Sequence, residues 1–257
     1  MSQGFSGVGL VNIHARTVGG AKGLGYFVGN CPKLSLKFDP KTVERNESMT
    51  TSRSPLRRMT QATSCSIELV TDEFNKKNFA LATRGRIDEV ADDAVTTIND
   101  VFPSGAVVGS ILACSKRNIN TLVVTDSTGS PKTLVLGTNY TVDLFSSDIT
   151  IINLTVGAPY VQPFKAAFKQ GAVTVMAGLA VPDSELWIAM NGTNADNGQK
   201  GMLDCFRVRL DPAQTMDFLN NDYNDFAING SVLIDSTKLP AAVGGQNFQF
   251  SIPSTHE

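Results

Sequence analysis

Side chains able to serve as nucleophile, base or metal ligand are few in this sequence and poorly grouped. The chain holds two histidines, His14 and His256, and four cysteines, Cys31, Cys65, Cys114 and Cys205. Zinc sites draw on closely spaced Cys and His pairs, and no Cys-x-x-Cys occurs. A Ser or Cys nucleophile needs a base within hydrogen-bond reach. His14 lies in a glycine-rich stretch, His256 is one residue from the end, and there is no Gly-x-Ser-x-Gly elbow. The acidic run 87–100, with Asp88, Glu89, Asp92, Asp93 and Asp100, lacks the alternating ligands, central glycine and terminal glutamate of an EF-hand loop. It reads as a solvated acidic connector. Gly19, Gly20, Gly23 and Gly25 surround Lys22 without the Gly-Lys-Ser/Thr ending of a phosphate loop, so residues 1–29 read as a glycine-rich arm. These patterns point away from an enzyme and imply no cofactor and no metal.

The residues with the most distinctive grouping are arginines. Arg45, Arg53, Arg57 and Arg58 fall within a polar stretch from Thr42 to Thr63 that also carries Glu44 and Glu47. Connections inside compact domains rarely exceed about a dozen residues without a purpose. One reading is a solvated loop. The other is an arm that orders against a neighbouring subunit, its guanidinium groups pairing with carboxylates.

The elements around this loop are legible. Pro32–Phe38 alternates, placing Leu34, Leu36 and Phe38 on one face, and Ser64–Val70 does the same with Cys65, Ile67 and Leu69. Thr71–Gly85 then reads as a short helix, capped by Thr71, with Asp72 and Glu73 at its positive end and Gly85 closing it. Phe74 and Leu81 are the expected core contacts of that helix. From 101 to 190 short strands recur between Gly, Pro, Asn and Ser breaks, the pattern of a sandwich or barrel. They include Gly105–Cys114, Asn120–Thr125, Leu134–Leu136, Asn139–Asp143 and Ile149–Asn153. Trp187, the single tryptophan, sits in an apolar strand and reads as core. Cys205–Leu210 alternates, with Arg207 and Arg209 opposite Phe206, Val208 and Leu210. Asn229-Gly230 signals a hairpin or a bulge.

A formal net charge of −2 excludes sequence-wide DNA wrapping. The unpaired cysteines read as small apolar residues of a protein made in a reducing place. No signal peptide or long apolar span is evident, so the expectation is a chain made soluble in the cytoplasm, with no membrane partner.

Several pieces together resemble the major tail tube proteins of long-tailed bacteriophages. They are Gly29–Leu34, Thr71–Asn75, Asn78–Leu81, Lys200–Leu210 and the strand near Ser231–Ile234. The resemblance implies a mainly β fold, a sandwich or barrel of the tail tube type with one flanking helix and long polar loops. It implies one domain over 1–257, with 101–195 an elaboration within it and arm-like termini at 1–29 and 238–257. It further implies a structural subunit of the virion tail whose copies close rings, six to a ring, that stack into a conduit for DNA. The long loop, with Arg45, Arg53, Arg57 and Arg58, would then join subunits, while Leu36, Phe38, Ile67, Leu69, Phe74 and Leu81 hold the fold. Partners implied are the protein itself, the tape measure, tail terminator and distal tail proteins, and DNA in transit without sequence preference. A β-sandwich module binding carbohydrate or a host receptor is the alternative on the strand rhythm alone, since fold does not fix function.

Overall fold

The computed structural model describes residues 6–221, 223–238 and 245–253. Its elements run β1 (Gly7–Arg16), β2 (Lys22–Phe27), β3 (Lys33–Asn46), β4 (Pro55–Thr71), α1 (Lys76–Thr83), β5 (Arg86–Val90), β6 (Asp93–Val101), β7 (Ile111–Ala113) and β8 (Ile119–Thr125). They continue with β9 (Tyr140–Asp143), β10 (Asp148–Ile151), β11 (Lys165–Gln170), β12 (Val173–Ala177), β13 (Leu186–Asn194), β14 (Lys200–Leu210), β15 (Phe226–Val232) and β16 (Phe248–Ser251). The fold is mainly β, with one helix among the described residues. That helix is too short to cross a membrane.

The chain divides into two compact units. Unit 1 combines the segments up to Arg86 and from Met176 onward, and unit 2 is Ile87–Val175. The inserted unit thus begins earlier and ends earlier than the 101–195 elaboration implied by the resemblance. The acidic run is not a connector: β5 and β6 occupy it, and β5 pairs with β12.

Unit 1 is built on an eight-stranded antiparallel sheet in the order β2-β1-β13-β14-β15-β4-β3, with β16 beside β14. Alternation along the strands sends Val11, Ile13, Ile67, Leu69, Ile188, Val208 and Ile228 into one core, which α1 joins through Ala82. Leu36 and Leu81 pack half-buried against it. On the opposite face Trp187, Ala189 and Phe206 bury one another, and Trp187 Nε1 donates to Asp204 at 2.7 Å. Residues 7–16 and 22–27 are paired strands of this sheet, not a free arm. At the other terminus β16 pairs with Met202–Cys205, while 239–244 and 254–257, His256 included, lie outside the described residues.

The helix is shorter than the sequence suggested. Thr71 stays in β4, opposite Phe226, and its hydroxyl donates to the Asn30 carbonyl at 2.9 Å. Asn75 is the cap instead, its side chain accepting from the amides of Lys77 and Asn78. Arg84, not Gly85, takes the left-handed position at φ 48°. Contacts from Arg84 to Asp183, Asp211 and the Leu210 carbonyl hold it there. Phe74 therefore precedes the helix and is 62% exposed, which corrects its placement in the core.

Unit 2 carries two three-stranded sheets, β7-β10-β9 and β6-β11-β8. Residues of both share one core, among them Leu112, Val124, Ile149, Ile151 and Phe168. The expected strand 105–114 survives only as β7, and 134–136 contributes one isolated bridge, Leu136 to Tyr140. Asp126 is wholly buried here. It accepts from the Lys132 and Val161 amides and from the Thr128 amide and hydroxyl. Burial alone would raise its pKa, and these bonds outweigh burial and lower it to about 2.

Candidate assembly surface

The stretch Thr42–Thr63 is not a loop. β3 and β4 pair from Lys33↔Val70 to Asn46↔Pro55, and only 47–54 forms the connection. Polar composition concealed this, because a ribbon exposed on both faces has no apolar side to give a period of two. Thr42, Val43, Thr60 and Thr63 supply β-favouring branched side chains instead. The corrected unit is a long hairpin whose inner half lies in the sheet and whose outer half does not.

The inner half is anchored by Ile67 and Leu69, at 1% and 0% exposure. From Lys37 to Ser64 almost every residue is exposed, on both faces of the ribbon. Phe38, placed in the core from its alternation, is half exposed because the ribbon has begun to leave the sheet at that point. Its ring still meets Phe248 of β16 at 5.5 Å. Val43, Met49, Leu56 and Met59 are exposed on the same ribbon. A two-stranded ribbon by itself is marginal in water. Exposed apolar side chains and open strand edges on such a ribbon are features that a partner surface would cover.

The structure brings three of the four arginines together. Arg45 is directly opposite Arg57, and Glu44 is opposite Arg58. Arg58 Nε lies 3.4 Å from Glu44 Oε1 with both side chains exposed, a pair that contributes at most about 1 kcal/mol. Arg53 stands apart in the connection, at φ 46°. Among the described residues Arg45, Arg53 and Arg57 have no acidic partner. Like charges directly across a strand pair repel.

What the sequence reading missed is the ionic clamp behind the sheet. Arg16 Nη2 meets the buried Asp235 at 2.6 Å and Arg16 Nη1 meets Glu185 at 3.0 Å. Glu185 also takes Arg207 at 2.5 Å and Arg209 at 3.2 Å. The hydrogen bond from Arg207 is the main influence lowering the Glu185 carboxyl below its ordinary pKa. Burial pushes Asp235 up, but its bonds to Thr237 and Arg16 prevail and hold it low. The clamp joins β1, the entry to β13, β14 and the segment after β15. Its one sequence signal was the placement of Arg207 and Arg209 on the polar face of an alternating strand.

Among the described residues no group of three His, Cys, Asp or Glu could hold a metal ion. A groove of about 720 Å³ runs where β1, β13, β14 and β16 end, with Val8, Leu10, Met202 and Ile252 among its walls. Burial pushes the Cys114 thiol up to about 11 and Cys205 up to about 12. All four cysteines are free thiols.

Comparison with known proteins adds a family. The chain belongs to the family described as "Protein of unknown function UCP028589", matched over residues 4–250. The match spans both units. Among curated proteins none matches this chain.

Proposed function

We propose that this protein is a tail tube subunit of a long-tailed bacteriophage, a structural protein whose copies assemble through the β3–β4 ribbon into stacked rings around a channel for DNA. The observation that carries the reading is the ribbon itself: exposed on both faces, bearing apolar side chains and arginines that have no acidic partner among the described residues, yet continuous with strands buried in the core of unit 1. A monomer gains nothing from extending such a ribbon into water. A subunit gains an arm that a neighbour covers. The tail tube resemblance of Gly29–Leu34, Thr71–Asn75, Asn78–Leu81, Lys200–Leu210 and Ser231–Ile234 supplies the kind of assembly, and ring closure by six copies follows from that resemblance.

DNA must slide through such a tube, so arginines that grip phosphates do not belong in its lumen. Arg53, Arg57 and Arg58 accordingly face protein. In this reading the tape measure, tail terminator and distal tail proteins meet the tube at its ends or within it, and the protein's place is the virion tail.

Negative-stain electron microscopy of the purified protein over a range of concentrations tests the proposal. Rings or hollow tubes of uniform bore are the expected result, and their loss on replacing Arg53, Arg57 and Arg58 together with Ser would assign them to the ribbon. Tubes unaltered by that triple substitution would remove the arginines from the interface. Particles that stay monomeric at every concentration would count against assembly.

A further inference from the structure

We infer that the Arg45/Arg57 pair on the ribbon of one copy docks into an acid-rimmed aromatic cleft at the far end of β4 in a second copy. The inference rests on the self-assembly reading and names the surface that receives the arm.

The cleft has a volume of about 370 Å³, and Asp72, Phe74, Asp217, Phe218, Tyr223 and Phe226 contribute to its lining. Phe79, outside the lining, links three of its rings into a chain. Phe226 to Phe74 is 6.0 Å between centroids, Phe74 to Phe79 is 5.8 Å, and Phe79 to Phe218 is 6.2 Å. Phe74, Phe218 and Tyr223 are 62%, 72% and 94% exposed, so large ring faces meet water. Among the described residues two carboxylates border those rings, and no lysine or arginine lines the cleft. Planar rings beside carboxylates are what a guanidinium recognises, since it stacks on the first and forms paired hydrogen bonds with the second.

The ribbon presents the complement. Arg45 and Arg57 face each other across the ladder, both exposed, and Glu44 is already engaged with Arg58. Two adjacent guanidinium groups repel until carboxylates arrive between or beside them. Two cations on the arm match two carboxylates in the cleft, and the exposed apolar pair Val43 and Met59, on the same face of the ribbon as Arg45 and Arg57, matches its rings.

One copy cannot satisfy itself. Arg57 lies near the start of the 17-residue β4, and Asp72 follows its last residue, Thr71. A strand of that length spans about 50 Å at ~3.3 Å per residue. The arm therefore reaches only the cleft of another molecule. Two different patches joined this way make a head-to-tail contact, which closes into a ring or propagates.

The test uses two double variants of the full chain, one with the arm reversed (R45E/R57E) and one with the cleft neutralised (D72N/D217N), sized by mass photometry. Each alone should stay monomeric where the wild type has assembled, its assembly threshold rising at least about tenfold. An equimolar mixture keeps one intact arm and one intact cleft, so it should yield a 1:1 dimer and nothing larger. Thermal melting checks folding. If D72N/D217N melts early, Asp217→Asn alone makes the same comparison while leaving the Asp72 contact with Asn30 in place. A cleft variant that assembles like the wild type, or a mixture that remains monomeric, overturns the inference while leaving the tail tube reading standing. Wild-type protein that never assembles overturns both. Loss of duplex DNA binding by R45E/R57E with unchanged assembly also overturns it, and names phosphate as the anion the pair holds.

Discussion

Gly230→Ala tests how the ribbon is anchored. Gly230 sits inside β15, opposite Leu210 of β14, with its missing side chain directed at the core face. A Cβ added there would lie 2.4 Å from the Arg209 carbonyl oxygen, 2.8 Å from Leu210 Cδ2 and 3.0 Å from Leu210 Cα. Close carbon–oxygen contacts between strands begin near ~3.3 Å, so β14 and β15 must part by roughly 1 Å at this point. The obstacle is backbone and cannot rotate away. Only three residue pairs, Val208↔Val232, Arg209↔Ser231 and Leu210↔Gly230, join the two strands. This short ladder connects β2, β1, β13 and β14 to the half of the sheet that carries the ribbon. Overpacking costs about 1–3 kcal/mol. Weakening one or two ladder bonds adds about 1 kcal/mol each. The expected loss is about 2–5 kcal/mol, read by urea unfolding with Trp187 fluorescence in the neighbouring β13. Ser231→Ala, on the exposed side of the same strand, should change stability by less than ~0.5 kcal/mol. A Gly230→Ala protein as stable as that control would refute the argument that close approach of the two backbones fixes this glycine.

Two further outcomes follow from burial and charge. Leu69→Ala, at a site with 0% exposure, should cost about 2–5 kcal/mol, whereas Phe74→Ala, with 62% of the residue in water, should cost no more than about 2; equal losses in denaturation curves would show that the ring chain around Phe74 is a core in its own right. Asp126 has a folded pKa of about 2 against an ordinary value near ~3.9, so its contribution to unit 2 is complete above pH ~4 and is lost as the pH falls toward ~2; hydrogen exchange across Ile119–Thr125 should show that acid-dependent loss in the wild type and not in Asp126→Asn.

How much was legible beforehand varied with how each segment meets water. Leu34, Leu36, Ile67 and Leu69 announced themselves because one face of β3 and β4 is buried and the other is not. The outer ribbon gave no such signal. Both of its faces are wet, so polar side chains predominate on both, no period of two appears, and strand looks like loop. Phe38 continued the alternation past the point where the core stops, and only the tertiary structure marks that point. The helix cap shows the same limit: Thr71 and Asn75 are both competent caps, and the pairing of Thr71 with Phe226 decided between them.

By itself the sequence determined that the chain is rich in strands, poor in catalytic groupings and marked by a cluster of arginines, because composition and period 2 are properties of neighbours along the chain. The tertiary structure decided the rest. Arg45 meets Arg57 through a register set by the hairpin, and Asp235 reaches Arg16 across 219 positions. Gly230 is required by a carbonyl on another strand, and Phe74 and Phe218 share a cleft through folding that no local pattern records. Each depends on groups distant in sequence and adjacent in space, which a one-dimensional pattern does not encode.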